Sequence, residues 1–148
     1  MLAKDLMSLN PCCCTSDSTI REAARMMVEH DCGEIPIIDA AGCPIGVITD
    51  RDICCRLVAQ GIEPNNARVS EYMSSPAVTI RESASSDDCR ETMERNMIRR
   101  IPVVDDSGKC TGIISQADIA QKSDSYTVSH LMKEVSAPRP NPINSARI

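Results

Sequence analysis

The chain has 148 residues, of which 42% are hydrophobic and 25% are charged. This length allows one domain, or two small ones sharing a core, and excludes long enzymatic architectures. The balance of apolar and charged residues is typical of a soluble globular protein. The formal net charge of -5 argues against binding to duplex nucleic acid, and two tyrosines without Phe or Trp offer no usual platform for stacking single-stranded bases.

The N-terminal residues lack the long apolar core of a signal peptide, and no stretch of about 18 apolar residues occurs. We therefore expect a cytoplasmic protein without a membrane partner. The nine cysteines are odd in number and irregularly spaced. In the cytosol this pattern indicates reduced thiols more often than a disulfide framework.

Two copies of one sequence pattern follow each other at a constant offset of 66 residues. The register does not slip, so the agreement indicates an internal duplication. The matched pairs include Met7 and Met73, Glu22 and Asp88, Met27 and Met93, Ile35 and Ile101, Asp39 and Asp105, Gly46 and Gly112, and Asp52 and Asp118.

Each copy begins with a short extended run, at residues 12–14 and 78–80, followed by a helix. A hydroxyl residue with an acid three positions later predicts each helix start, because the two side chains can form a capping box. Apolar side chains at helical spacing then predict a face that packs in the core. The caps are Thr19 with Glu22 and Ser85 with Asp88, and the apolar faces comprise Ala23, Met26 and Met27, and Cys89, Thr92, Met93 and Met97.

Two β runs joined by a turn come next in each copy, and a second helix follows at Thr49 or Ser115. In the first copy this helix should end near Gly61, because glycine commonly terminates helices. The turns have the Asp-x-x-Gly composition of hairpins. The predicted strand ranges are 35–39, 45–49, 101–105 and 110–115.

We predict an α/β (α+β) fold in which two β-α-β-β-α repeats pack about a pseudo-two-fold axis, with a binding cleft between them. A short helix is expected at residues 126–135, followed by an extended or mobile segment from Ala137. The predicted boundaries are repeat 1 at 1–61, a linker at 62–67, repeat 2 at 68–122 and a partly disordered C-terminal tail at 123–148.

The most informative local motif runs from Gly46 to Asp52 and recurs from Gly112 to Asp118. Its glycine lets a ligand or another backbone approach a strand, and its hydroxyl lies at a helix N-terminus, where backbone N–H groups favour phosphate. Its acid can accept two hydrogen bonds from a ribose diol. The same spacing is also an ordinary helix cap, so the motif alone leaves both interpretations open.

From Lys4 to about Gln121 the chain resembles the CBS-domain pair, also called the Bateman module. The resemblance rests on the duplicated methionines, on Ile-Pro-Ile-Ile-Asp39 and Ile-Pro-Val-Val-Asp105, and on the two Gly-x-x-Thr/Ser-x-x-Asp motifs. It is strongest to short free-standing bacterial members that share the Thr-Asp-Arg-Asp-Ile53 stretch.

The resemblance implies that AMP, ADP, ATP or another adenosyl compound binds between the repeats, that the chain forms a homodimer, and that no other cofactor is required. Asp52 and Asp118 would then hold ribose hydroxyls. Thr49 and Ser115 would contact ribose or phosphate. The residues that would flank the adenine are Ile35, Ile101, Cys14 and Ile80.

Members of this family often carry a basic residue just before the Ile-Pro or Leu-Pro pair to bind phosphate. Copy two has Arg99 and Arg100 there, whereas copy one has Gly33 and Glu34. A carboxylate beside a phosphate lowers affinity by repulsion, so we expect two unequal sites with the phosphates at Arg100. Arg51 is the candidate cation for the copy-one site.

Cys12, Cys13 and Cys14 occupy positions where copy two has Val78, Thr79 and Ile80, so cysteine replaces a small buried residue there. Successive strand residues face opposite sides, so this run cannot supply four tetrahedral zinc ligands. No metal site is predicted.

Two hypotheses follow for the function. The first is a non-enzymatic nucleotide sensor acting through an unknown protein partner, because no set of nucleophile, base and acid is visible. The second is a thiol- or metal-responsive protein that uses the repeats as a scaffold. A regulatory fragment of a nucleotide-metabolism dehydrogenase is disfavoured, because no catalytic barrel accompanies the repeats.

Overall fold

The computed structural model describes residues 1–138. Within them the chain forms two compact units. Residues 12–77 form the first-copy unit, and residues 1–11 with 78–138 form the second-copy unit. In chain order the elements are α1 (Ala3–Leu6), β1 (Ser8–Leu9), α2 (Ile20–Glu29), β2 (Glu34–Ile38), β3 (Pro44–Thr49), α3 (Asp50–Asp52, continued by a π-helical segment Ile53–Leu57 and a 3-10 turn Val58–Gln60), α4 (Val69–Tyr72), β4 (Ile80–Arg81), α5 (Ser86–Asn96), β5 (Arg100–Val104), β6 (Cys110–Ser115), α6 (Gln116–Lys122) and α7 (Ser125–Val135).

The mixed α/β fold predicted from the sequence is confirmed, and both hairpins form. In the first-copy unit β2 pairs antiparallel with β3. In the second-copy unit β5 pairs antiparallel with β6, within a four-stranded sheet of order β1-β6-β5-β4. A register shift occurs at the same place in both hairpins, between Ile37 and Ile38 and between Val103 and Val104.

The same outer strand contacts occur within each of the two units. Cys14 bridges Ile37 in parallel, as Ile80 pairs with Val103 at the same positions of copy two. On the other edge, Ser74 bridges Val47, and Ser8 pairs with Ile113. The duplication seen in the sequence is therefore a duplication of backbone pairing.

The segment that pairs with the edge of β3 or β6 comes from the sequence of the other repeat. Ser74 of repeat 2 pairs with β3, and β1 of repeat 1 pairs with β6. The helix α1 and the strand β1 open repeat 1, yet both belong to the second-copy unit. The equivalent α4 and Ser74 belong to the first-copy unit. The predicted boundaries therefore differ from those of the compact units. The segment before each repeat's first extended run belongs to the unit of the other copy.

The two motif glycines are explained by this packing. A Cβ atom added at Gly46 would lie 2.5 Å from Met73 Sδ and 2.9 Å from the Ser74 carbonyl oxygen. One added at Gly112 would lie 2.5 Å from Met7 Sδ. Of the two predicted reasons for glycine, the close approach of another segment of the chain is therefore the one observed.

The predicted caps of the first long helix in each copy are confirmed. Thr19 Oγ1 accepts a hydrogen bond from the Glu22 N–H at 3.1 Å, and Ser85 Oγ accepts one from the Asp88 N–H at 3.0 Å. Five residues of the predicted apolar faces pack in the two cores, namely Ala23, Met26, Met27, Cys89 and Met93, and of these Ala23, Cys89 and Met93 are fully buried. Met97 ends α5 in a left-handed conformation, with φ of 53°.

The second helix of copy one ends at Gly61 as predicted, with φ of 70°, a conformation that glycine adopts without steric cost. Its middle is π-helical, because the Val58 N–H donates to the Ile53 carbonyl as well as to that of Cys54. The equivalent α6 of copy two is a regular α-helix. The two copies thus differ in the helix that follows the motif.

The predicted C-terminal helix is confirmed as α7, which packs through Leu131 and Val135 into the core of the second-copy unit. The predicted extended segment from Ala137 is described only as far as Pro138, and the rest of it lies outside the described residues. Among residues 1–138, none of the helices has the length and apolar character needed to cross a membrane.

We expect alanine at Gly46 to lower the free energy of unfolding by about 1–3 kcal/mol, because the new methyl group overlaps Met73 and the Ser74 carbonyl. The loss should be smaller when Met73 is already alanine, because one of the two overlaps is then absent. Urea unfolding of the wild type, both single variants and the double variant gives the coupling energy. Additive effects would contradict this packing.

Candidate functional site

The first candidate site lies where β3 ends and α3 begins. Thr49 Oγ1 accepts a hydrogen bond from the Asp52 N–H at 3.0 Å, and Asp52 Oδ2 accepts one from the Thr49 N–H at 2.9 Å. The Asp50 N–H donates to the Gly33 carbonyl at 3.0 Å, which ties the helix start to the residue before β2. The predicted hydroxyl and acid are thus brought together at a helix N-terminus.

The second candidate site repeats this geometry where β6 ends. Ser115 Oγ accepts from the Asp118 N–H at 3.2 Å, and Asp118 Oδ2 accepts from the Ser115 N–H at 2.7 Å. The Ser115 hydroxyl also lies 2.7 Å from Asp118 Oδ2 and donates to it. The Gln116 N–H donates to the Arg99 carbonyl at 2.8 Å. The capping interpretation of the motif is therefore confirmed in both copies.

The two acids lie in different surroundings. Asp52 is fully buried, whereas Asp118 is half-buried. Burial raises the pKa of the Asp52 carboxyl above its ordinary value, and the Thr49 N–H and the Arg56 guanidinium act against that rise. Arg56 Nε lies 3.6 Å from Asp52 Oδ1, an oxygen that accepts no hydrogen bond from any residue between 1 and 138.

Arg56 is a site residue that the sequence reasoning missed. Its Nη1 donates to the Tyr72 carbonyl at 2.8 Å, at the C-terminal end of α4, while its Nε faces Asp52. Lys122 occupies the same position in copy two, and its ammonium donates to the Asp5 carbonyl in α1. A basic residue four positions after each motif acid was the available indication in the sequence.

The predicted phosphate-binding arginines lie beside the second site. Arg100 is directly opposite Ser115 in the antiparallel register, and Arg99 directly precedes it. Arg99 is half-buried, and its Nε makes no hydrogen bond within the described part of the chain. The same holds there for Gln116 Oε1. The second candidate site therefore combines positive charge with polar atoms that can still form hydrogen bonds.

The equivalent place at the first site is acidic. Glu34 is opposite Thr49 in the register and only 4% exposed. Arg51, the predicted compensating cation, is half-buried on α3, and its Nε has no hydrogen-bond partner among residues 1–138. The predicted difference in charge between the two sites is thus present in the arrangement of the side chains.

The residues predicted to flank an adenine lie mostly in the cores. Ile35 and Ile101 are fully buried and belong to the hydrophobic clusters of their units. Cys14 is 3% exposed, and Ile80 is half-buried at its strand edge. Of the four, Ile80 retains the most surface for a ligand.

The cysteines form no metal-binding cluster in the described structure. Among residues 1–138, no group of three or more His, Cys, Asp or Glu side chains is placed to hold a metal ion, and no disulfide is formed. Cys12 and Cys32 are in contact, with their Sγ atoms 3.9 Å apart.

The CBS domain model matches residues 3–59 and again residues 69–125. This chain therefore belongs to the CBS domain family and carries two copies of the domain in tandem. The resemblance inferred from the duplicated motifs is confirmed.

Hypoxic response protein 1 of Mycobacterium tuberculosis is 31% identical over 136 residues, which cover 92% of this chain and 94% of that protein. A crystal structure of Hypoxic Response Protein I with two coordinated zinc ions matches with a TM-score of 0.76 and 32% identity over 84% of this chain and 100% of the other. The CBS domain pair of protein MJ0100, in complex with 5'-methylthioadenosine and S-adenosyl-L-methionine, matches with a TM-score of 0.74 and 32% identity over 82% and 98% of the two chains. Protein MK0525 of Methanopyrus kandleri, another relative, is longer, and the chain spans 59% of its length.

The raised pKa of Asp52 predicts a particular pH dependence of stability. A folded-state pKa above the unfolded value means that the folded state binds more protons, so this group makes stability fall as the pH rises above about 4. Asp52→Asn removes that loss, and its stability relative to the wild type should increase from about pH 4 to about pH 7. Urea unfolding across this range measures the difference.

Asp88→Asn is the matched control, because hydrogen bonds from Ser85 lower the pKa of the Asp88 carboxyl. Asp88 therefore adds stability only as the pH rises towards about 4, and above that it is ionised in both the folded and the unfolded state. The stability of Asp88→Asn relative to the wild type should thus stay nearly constant from about pH 4 to about pH 7. A difference for Asp52→Asn that stays equally constant over this range would show that burial does not govern Asp52.

Proposed function

We propose that this protein is a regulatory module that binds an adenosyl compound, AMP, ADP or ATP, at the strand-to-helix junctions of its two repeats. It acts through a protein partner and carries out no chemistry of its own. The observation that supports this most strongly is the duplicated junction, in which a hydroxyl and an acid meet at a helix N-terminus in both copies. The methylthioadenosine and S-adenosylmethionine bound by the MJ0100 pair support an adenosyl ligand.

The ribose is held by the acids. Each acid uses one oxygen, Oδ2, for the cap, so its other oxygen can accept a ribose hydroxyl. At the first site Arg56 lies 3.6 Å from that second oxygen and favours the ionised carboxylate, which is the stronger acceptor. Thr49 and Ser115 lie beside the acids and contact the ribose or the first phosphate.

The two sites differ in their expected affinity for phosphate. Arg99 and Arg100 lie at the second junction, where the N-terminal N–H groups of α6 add a partial positive charge. At the first junction the buried Glu34 carboxylate would repel a phosphate, and Arg51 is the only arginine within Asp50–Asp52. The second site therefore prefers ADP or ATP, and the first prefers an adenosyl compound with little or no phosphate.

A homodimer is part of this proposal. The outer surface of α2 offers Val28, which is 83% exposed, whereas the half-buried Met26 packs against the core. Met93 on α5 is fully buried and packs in the core. The proposed dimer surface therefore includes the exposed face of α2.

Metal binding is the second candidate, because the similar Hypoxic Response Protein I structure contains two coordinated zinc ions. No cluster of three possible ligands occurs among residues 1–138 of this chain. Adenosyl binding is therefore the better supported of the two.

A thermal-shift series with AMP, ADP, ATP, S-adenosylmethionine and zinc tests the proposal. A ligand that binds only the folded state stabilises it by about 2.7 kcal/mol at 100 times its Kd, so the melting temperature should rise with concentration. Calorimetry then gives the stoichiometry. Stabilisation by zinc without any effect of the adenosyl compounds would reject nucleotide sensing.

Arg100→Ala should weaken ATP binding roughly tenfold or more and leave adenosine binding unchanged, because a charge-assisted contact to a phosphate is lost. Arg25→Ala is the matched control, since Arg25 is exposed on α2 and pairs only weakly with Glu29 at 3.9 Å. Calorimetric titration measures both affinities. An unchanged ATP affinity would remove Arg100 from the phosphate site.

A further inference from the structure

Two cysteines of the first-copy unit lie close enough to react with each other. Cys12 begins the extended run and Cys32 follows α2, and their Sγ atoms are 3.9 Å apart. Both side chains are half-buried and pack against the same hydrophobic core. A disulfide requires a sulfur separation of about 2.05 Å, so small side-chain rotations can close the remaining gap.

The backbone on both sides of the pair is held in place. The extended run is fixed to β2, because the Cys14 N–H donates to the Pro36 carbonyl at 3.0 Å and the Ile38 N–H donates to the Cys14 carbonyl at 2.9 Å. The Cys32 N–H donates to the Met27 carbonyl at 3.0 Å in the turn that ends α2. The two sulfur atoms are therefore kept together by the fold.

The alternation of the extended run selects Cys12 over its neighbour Cys13. Cys14 is 3% exposed, and its Sγ lies 3.4 Å from Met26 Sδ on α2. Side chains two apart on an extended chain share a face, so Cys12 faces the same side as Cys14, and Cys13 faces the other.

The second copy provides an internal comparison. The positions equivalent to Cys12 and Cys32 are Val78 and Ile98, which pack in the core of the second-copy unit. A single cysteine in place of an aliphatic residue is explained as a small buried side chain. Here both members of one pair of positions are cysteine, and their sulfur atoms are in contact.

We propose that Cys12 and Cys32 are a redox-active pair that forms a reversible intramolecular disulfide. The oxidant is a low-molecular-weight disulfide. One thiolate of the pair attacks it, forms a mixed disulfide and releases one thiol, and the other cysteine then attacks that mixed disulfide and releases the second thiol. The two cysteines together lose two electrons and two protons, and the oxidant becomes two thiols.

The surroundings of the pair set its reactivity. Burial raises the pKa of the Cys12 thiol, so little thiolate is present at neutral pH and the pair reacts slowly with the oxidant. The bridge encloses the whole of α2, which reduces the conformational freedom of the unfolded chain and stabilises the fold. Its formation needs no adenosyl ligand, so it can fail or succeed independently of the proposed function.

The test uses the full chain, treated with oxidised glutathione, alkylated, digested with trypsin without reduction, and measured by mass spectrometry. Cys12 lies in the tryptic peptide 5–21 and Cys32 in the peptide 26–51. We expect these two peptides to be linked, with the mass of two hydrogen atoms lost. The melting temperature of the oxidised monomer should rise by roughly 5–10 °C relative to the reduced one.

Cys12→Val and Cys32→Ile copy the residues of the second repeat, so they preserve the packing while removing the sulfur atoms. Each should abolish the linked peptide and the thermal shift. Cys13→Thr and Cys43→Ser are matched controls in the same two peptides and should keep both. A linked peptide that persists in either pair variant, or its absence from the oxidised wild type and controls, would overturn the proposal.

Discussion

Reciprocal hydrogen bonds between a hydroxyl residue and an acid three positions later start the two main helices of both copies. Thr19 with Glu22 and Ser85 with Asp88 begin α2 and α5, and Thr49 and Ser115 begin the helices that follow the hairpins. Each pair satisfies two backbone N–H groups that a helix otherwise leaves without partners. The strand ends and helix starts are thereby fixed against each other, and the candidate sites lie at those junctions.

The same cap has been placed in two different environments by the duplication. In copy one the acid is fully buried beside Arg56, and Glu34 lies opposite the hydroxyl. In copy two the acid is half-buried, and Arg100 occupies the place of Glu34. Because charge and burial change while the capping hydrogen bonds are the same in both copies, selectivity can diverge at one site without disturbing the other.

Local features of this fold could be predicted from the sequence, because caps, hairpin turns and the helix end at Gly61 depend on residues close together in the chain. Contacts between distant segments could not. The role of Gly46 depends on Met73, and that of Arg56 on the end of α4, and neither partner follows from local periodicity. The burial of Asp52 likewise results from packing, so its altered pKa required the structure.

The exchange of segments between the repeats makes each half of the chain incomplete by itself. A fragment that begins at residue 12 keeps the hairpin of β5 and β6 but has lost β1, the strand that covers the outer edge of β6. The uncovered edge would present unpaired backbone groups and invite association with other chains. Translation that starts late, or proteolysis near residue 11, would therefore damage the distant second copy and leave the nearby first one intact.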